Sequence, residues 1–450
     1  MMETQPELFA QHYAEAGLVE KSVDYWGKAG HRSAARSAMA EAAAQFQRGI
    51  DQLAQLPDRP ERQRRELELF SALGPALMAV KGNAAPETGQ AYARARKLWD
   101  QLGSPSEFLR IPYGQQAHHA GRGEYELALR LDEDLLRVSR QRNDSAGLVL
   151  GHLASGRNLL MTGRFAPSRS HLEAALALYD PNSHRSLGRQ IGFHPNVNSR
   201  FSLGLALFVL GFPDQAFAQI SAAISEARRL AHPQSLAGSL AVGGILLSLL
   251  GEKEATLGEW ADQLVALATE QGFPYWRAQG TIYRGWARVK NGDVAAGISL
   301  LRSGREAFRG TGAELLLPHY TDLVAVACGI AGNMEEALTL LGEALRIVGR
   351  TRERWLEAEL YRHEGQILQR QENSAAAEAL YRKALRIARE QEAKLWELRA
   401  AVSLARLRRD QGRRVEARKL LAPVYGWFTE GFDTPDLKEA KALLDELGGA

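Results

Sequence analysis

Apolar residues recur three and four positions apart along almost the whole chain, which is the spacing of one buried face of an α-helix. No alternation of apolar and polar residues longer than four positions interrupts it, so the pattern predicts helices and no strands. The helical runs are punctuated at regular intervals by Gly123, Gly163, Gly211, Gly251, Gly292, Gly332, Glu372 and Gly412, with steps of 40, 48, 40, 41, 40, 40 and 40 residues. Around each turn the same order of sizes returns. A small residue stands seven positions before it (Gly156, Gly204, Gly244, Gly285, Ala325, Gly365, Ala405) and another stands five after it (Ala128, Ser168, Ala216, Gly297, Ala337, Ala377, Ala417). Nine after it comes a large apolar residue: Leu172, Ile220, Trp260, Leu301, Leu341, Tyr381, Leu421. Two helices approach closely only where small side chains face each other, and the turn glycine takes backbone angles that a side chain would strain. Each unit therefore reads as a helix–turn–helix.

The order small, turn, small, large, small resembles the tetratricopeptide repeat, most clearly from Tyr361 through Gly365, Leu368, the turn at Glu372, then Ala377, Tyr381 and Ala384. That resemblance implies an all-α, right-handed superhelical solenoid of helix hairpins. The usual period of that repeat is 34 residues, and a period of about 40 here implies longer helices and a wider superhelix. Three regions are expected: a helical entry segment over 1–60, closed by a linker at Leu56 to Pro60, a repeat solenoid over 61–432, and a capping helix over 433–450. The cap is read from Thr434 as N-cap, Pro435 in the first turn, and an apolar stripe of Leu437, Ala440, Leu444 and Leu447.

Composition narrows the function. Lys and Arg total 56 against 53 Asp and Glu, a net charge of +3, which lacks the concentrated basic face of a nucleic-acid binder. Apolar residues at 45% and charged residues at 24% are globular values and exclude wholesale disorder. The single cysteine, Cys328, excludes a disulfide framework and reads as a structural thiol in an Ala/Val-rich helix. The most apolar stretch, Leu236 to Leu250, falls short of the ~20 residues a membrane helix needs. With no signal-peptide pattern at the start, the chain reads as a cytoplasmic protein with no membrane or nucleic-acid partner.

Motifs for chemistry are missing. There is no phosphate-cradling loop, nucleophile elbow or zinc helix, and Gly121 to Glu126 reads as a repeat turn and not a dinucleotide loop. The expectation is a chain that is not an enzyme and carries no cofactor or metal. Two places attract a binding assignment instead. The 48-residue step holds eight extra residues within 179–198, gathering Asp180, His184, Arg185, His194, Asn196 and Asn198; such an insertion is a long solvated loop or a ligand or partner site. The other is the concave row presented by the first helix of each unit, with Arg157, Phe201, Trp286, Arg362 and Gln366, where Trp286 is either core or groove.

The runs from Phe165 to Ala218, with Tyr179, Pro181, His184 and Arg185 inside them, and from Tyr425 to Leu447 resemble the C-terminal repeat region of large bacterial predicted ATPases. Many of those carry an N-terminal class III adenylate/guanylate cyclase domain. The opening Tyr13 to Leu18 and Tyr25 to Gly30 resemble the segment that follows the ATPase module there. This chain contains neither catalytic module; its start matches the point where they end, and its C-terminus matches the end of that family. The resemblance implies a sensing or scaffolding arm, free-standing or truncated, that binds a protein partner or an ATPase/cyclase module in trans. The alternative is a small-molecule sensor.

Overall fold

The computed structural model describes residues 5–105, 108, 110–184, 186–251 and 254–448. Among these the regular structure is entirely helical. The chain opens with α1 (Pro6–Glu15), α2 (Val19–Ala35), α3 (Met39–Leu53), α4 (Pro60–Lys81), α5 (Pro86–Gln101), α6 (Arg110–Gly121) and α7 (Tyr125–Gln141). It continues with α8 (Ser145–Met161), α9 (Phe165–Leu178), the short α10 (Leu187–Ile191), α11 (Pro195–Val209), α12 (Pro213–Arg229), α13 (Pro233–Leu250) and α14 (Glu254–Glu270). Then follow α15 (Pro274–Lys290), α16 (Val294–Arg309), α17 (Leu317–Ile330), α18 (Met334–Thr351), α19 (Glu357–Arg370), α20 (Ser374–Glu390), α21 (Lys394–Asp410), α22 (Arg414–Tyr425) and α23 (Pro435–Gly448). Consecutive helices pair into hairpins stacked side by side, an all-α repeat solenoid. The connection between α3 and α4 joins helices that pack on one another through Phe46, Leu53, Leu69 and Leu73.

Most of the hairpin turns are closed by the same two bonds. Gly292 N–H donates to Val289 O and Asp293 N–H to Arg288 O, and Gly412 and Arg413 repeat the pair on Arg409 and Arg408. This is a glycine-terminated helix end, with the turn residue at positive φ. Prolines sit mostly in first turns, where no backbone donor is lost: Pro60, Pro86, Pro195, Pro213, Pro233 and Pro274.

The size code of the repeat has a direct geometric meaning. The large residue nine after a turn lies over the small residue seven before it. A Cβ on Gly156 would stand 2.6 Å from Leu172, on Gly204 2.6 Å from Ile220, and on Gly365 2.7 Å from Tyr381. At α15 and α16 the backbones themselves touch, since a Cβ on Gly285 would meet Gly297 O and Leu301 N at 2.8 Å.

First and second helices of the hairpins differ in burial. In α11, 13 of 15 residues are buried and in α17 12 of 14, whereas α12 buries six of 17. The second helices are amphipathic with one face in water; α11 and α17 are enclosed on nearly all sides, while α19 buries only five of 14 residues. Helix α13 is long and apolar enough to cross a membrane by composition, but 78% of that window is buried inside the protein, the mark of a core helix.

The enclosure arises because the solenoid closes on itself every five hairpins. Gly121 O, ending α6, accepts from Glu314 N (2.9 Å) just before α17. Met161 O, ending α8, accepts from Arg354 N (2.8 Å) and Trp355 N (3.1 Å) before α19. Glu430 accepts from the first amides of α12, Asp214 N (3.0 Å) and Gln215 N (3.1 Å), and Asp214 Oδ2 accepts from Gly431 N (3.0 Å). The longer period therefore does not open the superhelix, and the expectation of a wider one is corrected. Small residues on the first helices (Gly151 against Leu136, Gly238 against Phe201, Gly244 against Tyr283) let neighbouring hairpins approach closely, so the array curls onto its own second turn.

A buried carboxylate sits in the seam between turns. Glu353 accepts from Leu316 N (3.0 and 3.1 Å), the Trp355 indole (3.0 Å) and the Tyr125 hydroxyl (3.1 Å). Burial pushes its carboxyl up to about 7, against the pull of those donors. With the folded value above the unfolded one, the contribution of Glu353 is complete in acid and is lost as pH rises through about 7. Wild-type stability is expected to fall by about 3 kcal/mol between about pH 4.5 and 8, most of it below pH 7. Glu353→Gln, which imitates the protonated acid, is expected to flatten that slope. Thermal midpoints against pH for the two proteins check it; parallel slopes would refute the assignment.

Candidate functional site

The inner faces of α15, α17, α19 and α21, the end of α13 and the start of α23 line a partly open cavity of about 240 Å³ with both polar and apolar walls. Its wall is a continuous chain of ionic contacts. His363 Nδ1–H donates to Asp322 Oδ1 (2.8 Å), while Arg362 donates to His363 Nε2 (2.7 Å). An imidazole that accepts from a guanidinium at Nε2 is neutral, with its proton on Nδ1. Arg362 also holds Glu359 in a fork (2.6 and 2.8 Å), Glu359 accepts from Arg399 (3.0 Å), and Arg399 forks onto Asp436 (2.7 and 2.9 Å). Arg399 also donates to Leu249 O at the end of α13, one superhelical turn away. Burial alone would raise the Glu359 carboxyl; Arg362 and Arg399 outweigh it and hold it well below the usual carboxylate range.

Three of the concave-row residues read from the sequence, Trp286, Arg362 and Gln366, meet at this cavity. Trp286 is both core and wall: 7% exposed, packed in the main hydrophobic cluster, and facing the hollow. Arg157 lies apart, on α8, bonded to the Tyr113 hydroxyl beside Asp132, whose carboxyl burial pushes well up. Asn158 donates to that Asp132 (2.7 Å) and to Gln116 (3.1 Å). Phe201 is buried in α11.

The 179–198 insertion folds inward rather than forming a solvated loop. Its helix α10 packs on α4 and α6. His184 is buried, accepting from Asp180 N at Nδ1 (3.0 Å) and pairing with Ser145 Oγ at Nε2 (2.9 Å). Asp180 remains exposed and closes the turn by accepting from Asn182 N and Ser183 N (both 3.1 Å). His194 bonds Tyr179 (3.0 Å) and its amide donates to Ser235 (2.8 Å); burial lowers its imidazole to about 4. Asn196 accepts from Arg200 (3.1 Å), and Asn198 is buried against Ser202. Arg185 lies outside the described residues. The insertion's polar groups thus mostly bond to the protein itself and stand apart from the cavity wall.

Five residues of the ionic wall escaped the sequence reading: Asp322, Glu359, His363, Arg399 and Asp436. Asp322 stands ten positions before its turn, as Arg362 and Phe201 do before theirs, so carrying the concave register through every repeat finds it. Glu359 and Arg399 both stand thirteen before their turns, one helical step beyond the register that was read, and His363 follows Arg362 directly. Asp436 belongs to the cap and has no repeat position.

Beside the cavity wall, His319 on α17 is fully buried and neither ring nitrogen has a partner; the ring packs against Trp355. Burial lowers it to about 4. Its neutral form is what the fold accepts, so stability is present above about pH 6.5 and is lost as pH falls toward 4. His319→Phe is expected to remove this acid limb and to add about 1 kcal/mol at neutral pH, because two orphaned polar atoms disappear. Urea titrations at about pH 5 and pH 7 measure both effects, and an unchanged pH dependence counts against the assignment. Among the described residues no group of three His, Cys, Asp or Glu side chains is placed to hold a metal ion. Cys328 is buried in α17 and burial pushes its thiol up.

This architecture makes the chain a tetratricopeptide-like repeat protein, and the tetratricopeptide repeat family profile matches residues 317–390. Among individual proteins, an uncharacterized protein of Rhizobium meliloti (strain 1021) is 27% identical over 360 residues, 78% of this chain. The chain spans about a third of that relative's length, 34%. Among solved structures, a Rap protein complexed with competence and sporulation factor is similar in fold, with a TM-score of 0.56 at 14% identity. That match covers 83% of this chain and 98% of the other. The apo quorum sensor NprR from B. thuringiensis overlays with a TM-score of 0.48 at 14% identity, over 82% of this chain and 99% of its own.

Proposed function

We propose that this chain is a non-catalytic regulatory scaffold that senses a small effector in the cavity between α13, α15, α17, α19, α21 and α23. The observation that carries this reading is the closure of the superhelix. Helices α11 and α17 are packed on nearly all sides, so an extended partner segment has no open concave groove along them, while the cavity holds a volume suited to a small molecule. Its wall reaches both superhelical turns through Arg399 and Leu249, so occupancy is coupled to the seam and hence to the outer surface. The resemblance to the repeat region of cyclase- and ATPase-bearing proteins, together with a relative about three times longer than the matched stretch, supports a catalytic module as the element that responds. Thermal-shift screening of the chain against a metabolite library tests the sensor reading. At least one compound is expected to raise the midpoint in wild type and not in Gln366→Ala, and a library without such a compound sinks it.

A second reading, a protein-interaction arm, is favoured by the solenoid's exposed second helices. It predicts that a partner module binds the chain with no effector present.

A further inference from the structure

Four polar groups at the cavity wall are unused by the protein, and their identities specify a ligand. Asp322 is 2% exposed; Oδ1 accepts from His363, while Oδ2 carries no hydrogen bond among the described residues. Arg362 commits Nε and Nη2 to Glu359 and His363, leaving Nη1 without a partner. The Gln366 amide faces the same hollow and is likewise unbonded, as is the indole N–H of Trp286. The Asp322 oxygen and the Arg362 nitrogen are therefore free to bond a ligand that enters the cavity.

We propose that the cavity binds a small zwitterion of the α-amino acid type, its ammonium on Asp322 and its carboxylate on Arg362, with Trp286 and Gln366 against the remainder. This deepens the effector reading above and rests on it. Spacing supports it: Asp322 and Arg362 are separated by one imidazole ring with a hydrogen bond on either side. An amino acid with a hydrogen bond at each end spans a similar gap. Size agrees too, since a cavity of about 240 Å³ admits a ligand as small as an amino acid.

Charge also agrees. The wall carries Asp322, Glu359, Asp436 and Glu439 against Arg362 and Arg399, with Glu439 paired outward to Arg406. A bare anion would bring its charge against the free Asp322 oxygen, and a bare cation would leave the Arg362 nitrogen unserved. A ligand of net zero charge with separated poles satisfies both.

Isothermal titration of the full chain against the twenty free amino acids tests the proposal. At least one is expected to bind with a Kd below about 1 mM. Its N-acetyl derivative, which lacks the ammonium, and its amide, which lacks the carboxylate, are each expected to bind at least tenfold more weakly. Asp322→Asn, which keeps an acceptor for His363, is expected to lose at least tenfold. Gln366→Ala breaks no internal bond and provides a second variant if the first does not fold; it is expected to weaken binding several-fold. Equal affinity for the N-acetyl derivative or the amide overturns the zwitterion. If no amino acid binds while other metabolites shift the wild-type midpoint and not that of Gln366→Ala, the ligand class is overturned and the effector cavity stands. If no compound acts through Gln366, both fall.

Discussion

Arg399→Ala is expected to destabilise the protein by about 3–5 kcal/mol, the cost of leaving buried charges without their partner. Arg399 is the single cation shared by Glu359 and Asp436, whose side chains are 1% and 13% exposed, and its remaining donor holds Leu249 O at the end of α13. Its loss strips Asp436 of its cation, leaves Glu359 with Arg362 alone, and unties the cap helix α23 from the first superhelical turn. Urea unfolding measures the loss, and limited proteolysis is expected to cut the 426–434 segment first. Asp436→Ala in the same background distinguishes network from generic packing. Once Arg399 is gone, removing Asp436 relieves a stranded charge, so the double variant is expected to be more stable than the sum of the singles by at least 1 kcal/mol. Simple additivity, or a loss below about 1 kcal/mol for Arg399→Ala, would show that this chain of ion pairs does not hold the cap.

The parts of this architecture that follow from local backbone geometry were legible in the sequence. A glycine at positive φ and a small residue beneath a large one must be supplied within each repeat, so Gly163 with Gly156 and Leu172, or Gly292 with Gly285 and Leu301, announce the hairpin by their spacing. The turn that joins one hairpin to the next was not legible. Its positive-φ position, twenty residues on, is filled by Asn143, Ala231, Arg352 and Glu392 as well as by Gly272 and Gly312, so no residue type marks it. The closure onto the second turn was not legible either. It joins positions such as Gly121 with Glu314 and Asp214 with Glu430, some 190 to 220 residues apart, and contacts across a superhelical turn impose no periodicity on the sequence. This also explains the mixed legibility of the candidate site. Trp286, Arg362 and Gln366 occupy repeat positions six and ten before their turns and were found, whereas Asp436 and Leu249 reach the same wall only through the cap and the closure.

The same closure divides the turn glycines into two groups that the repeat pattern treats as equal, and substitution is expected to separate them. Gly292, Gly332 and Gly412 have positive φ and nothing within 4 Å of the place a methyl group would take, so alanine there meets backbone strain alone, about 1 kcal/mol. Glu372 already stands at φ 63° at the equivalent place, which shows that the repeat tolerates a side chain where the turn faces water. Gly211 combines φ 94° with contact across the seam: a Cβ would lie 2.8 Å from the Trp427 ring and 3.0 Å from Phe428 and Lys394. Gly123 would press on Thr351 at 2.6 Å, a stiff β-branched side chain. Overpacking of about 1–3 kcal/mol adds to the strain, so Gly211→Ala is expected to cost about 3 kcal/mol against about 1 for Gly292→Ala. The loss should appear in chemical denaturation. Equal costs at the two sites would mean that the superhelical turns do not rest on each other in solution, and the cavity would lose its structural basis with them.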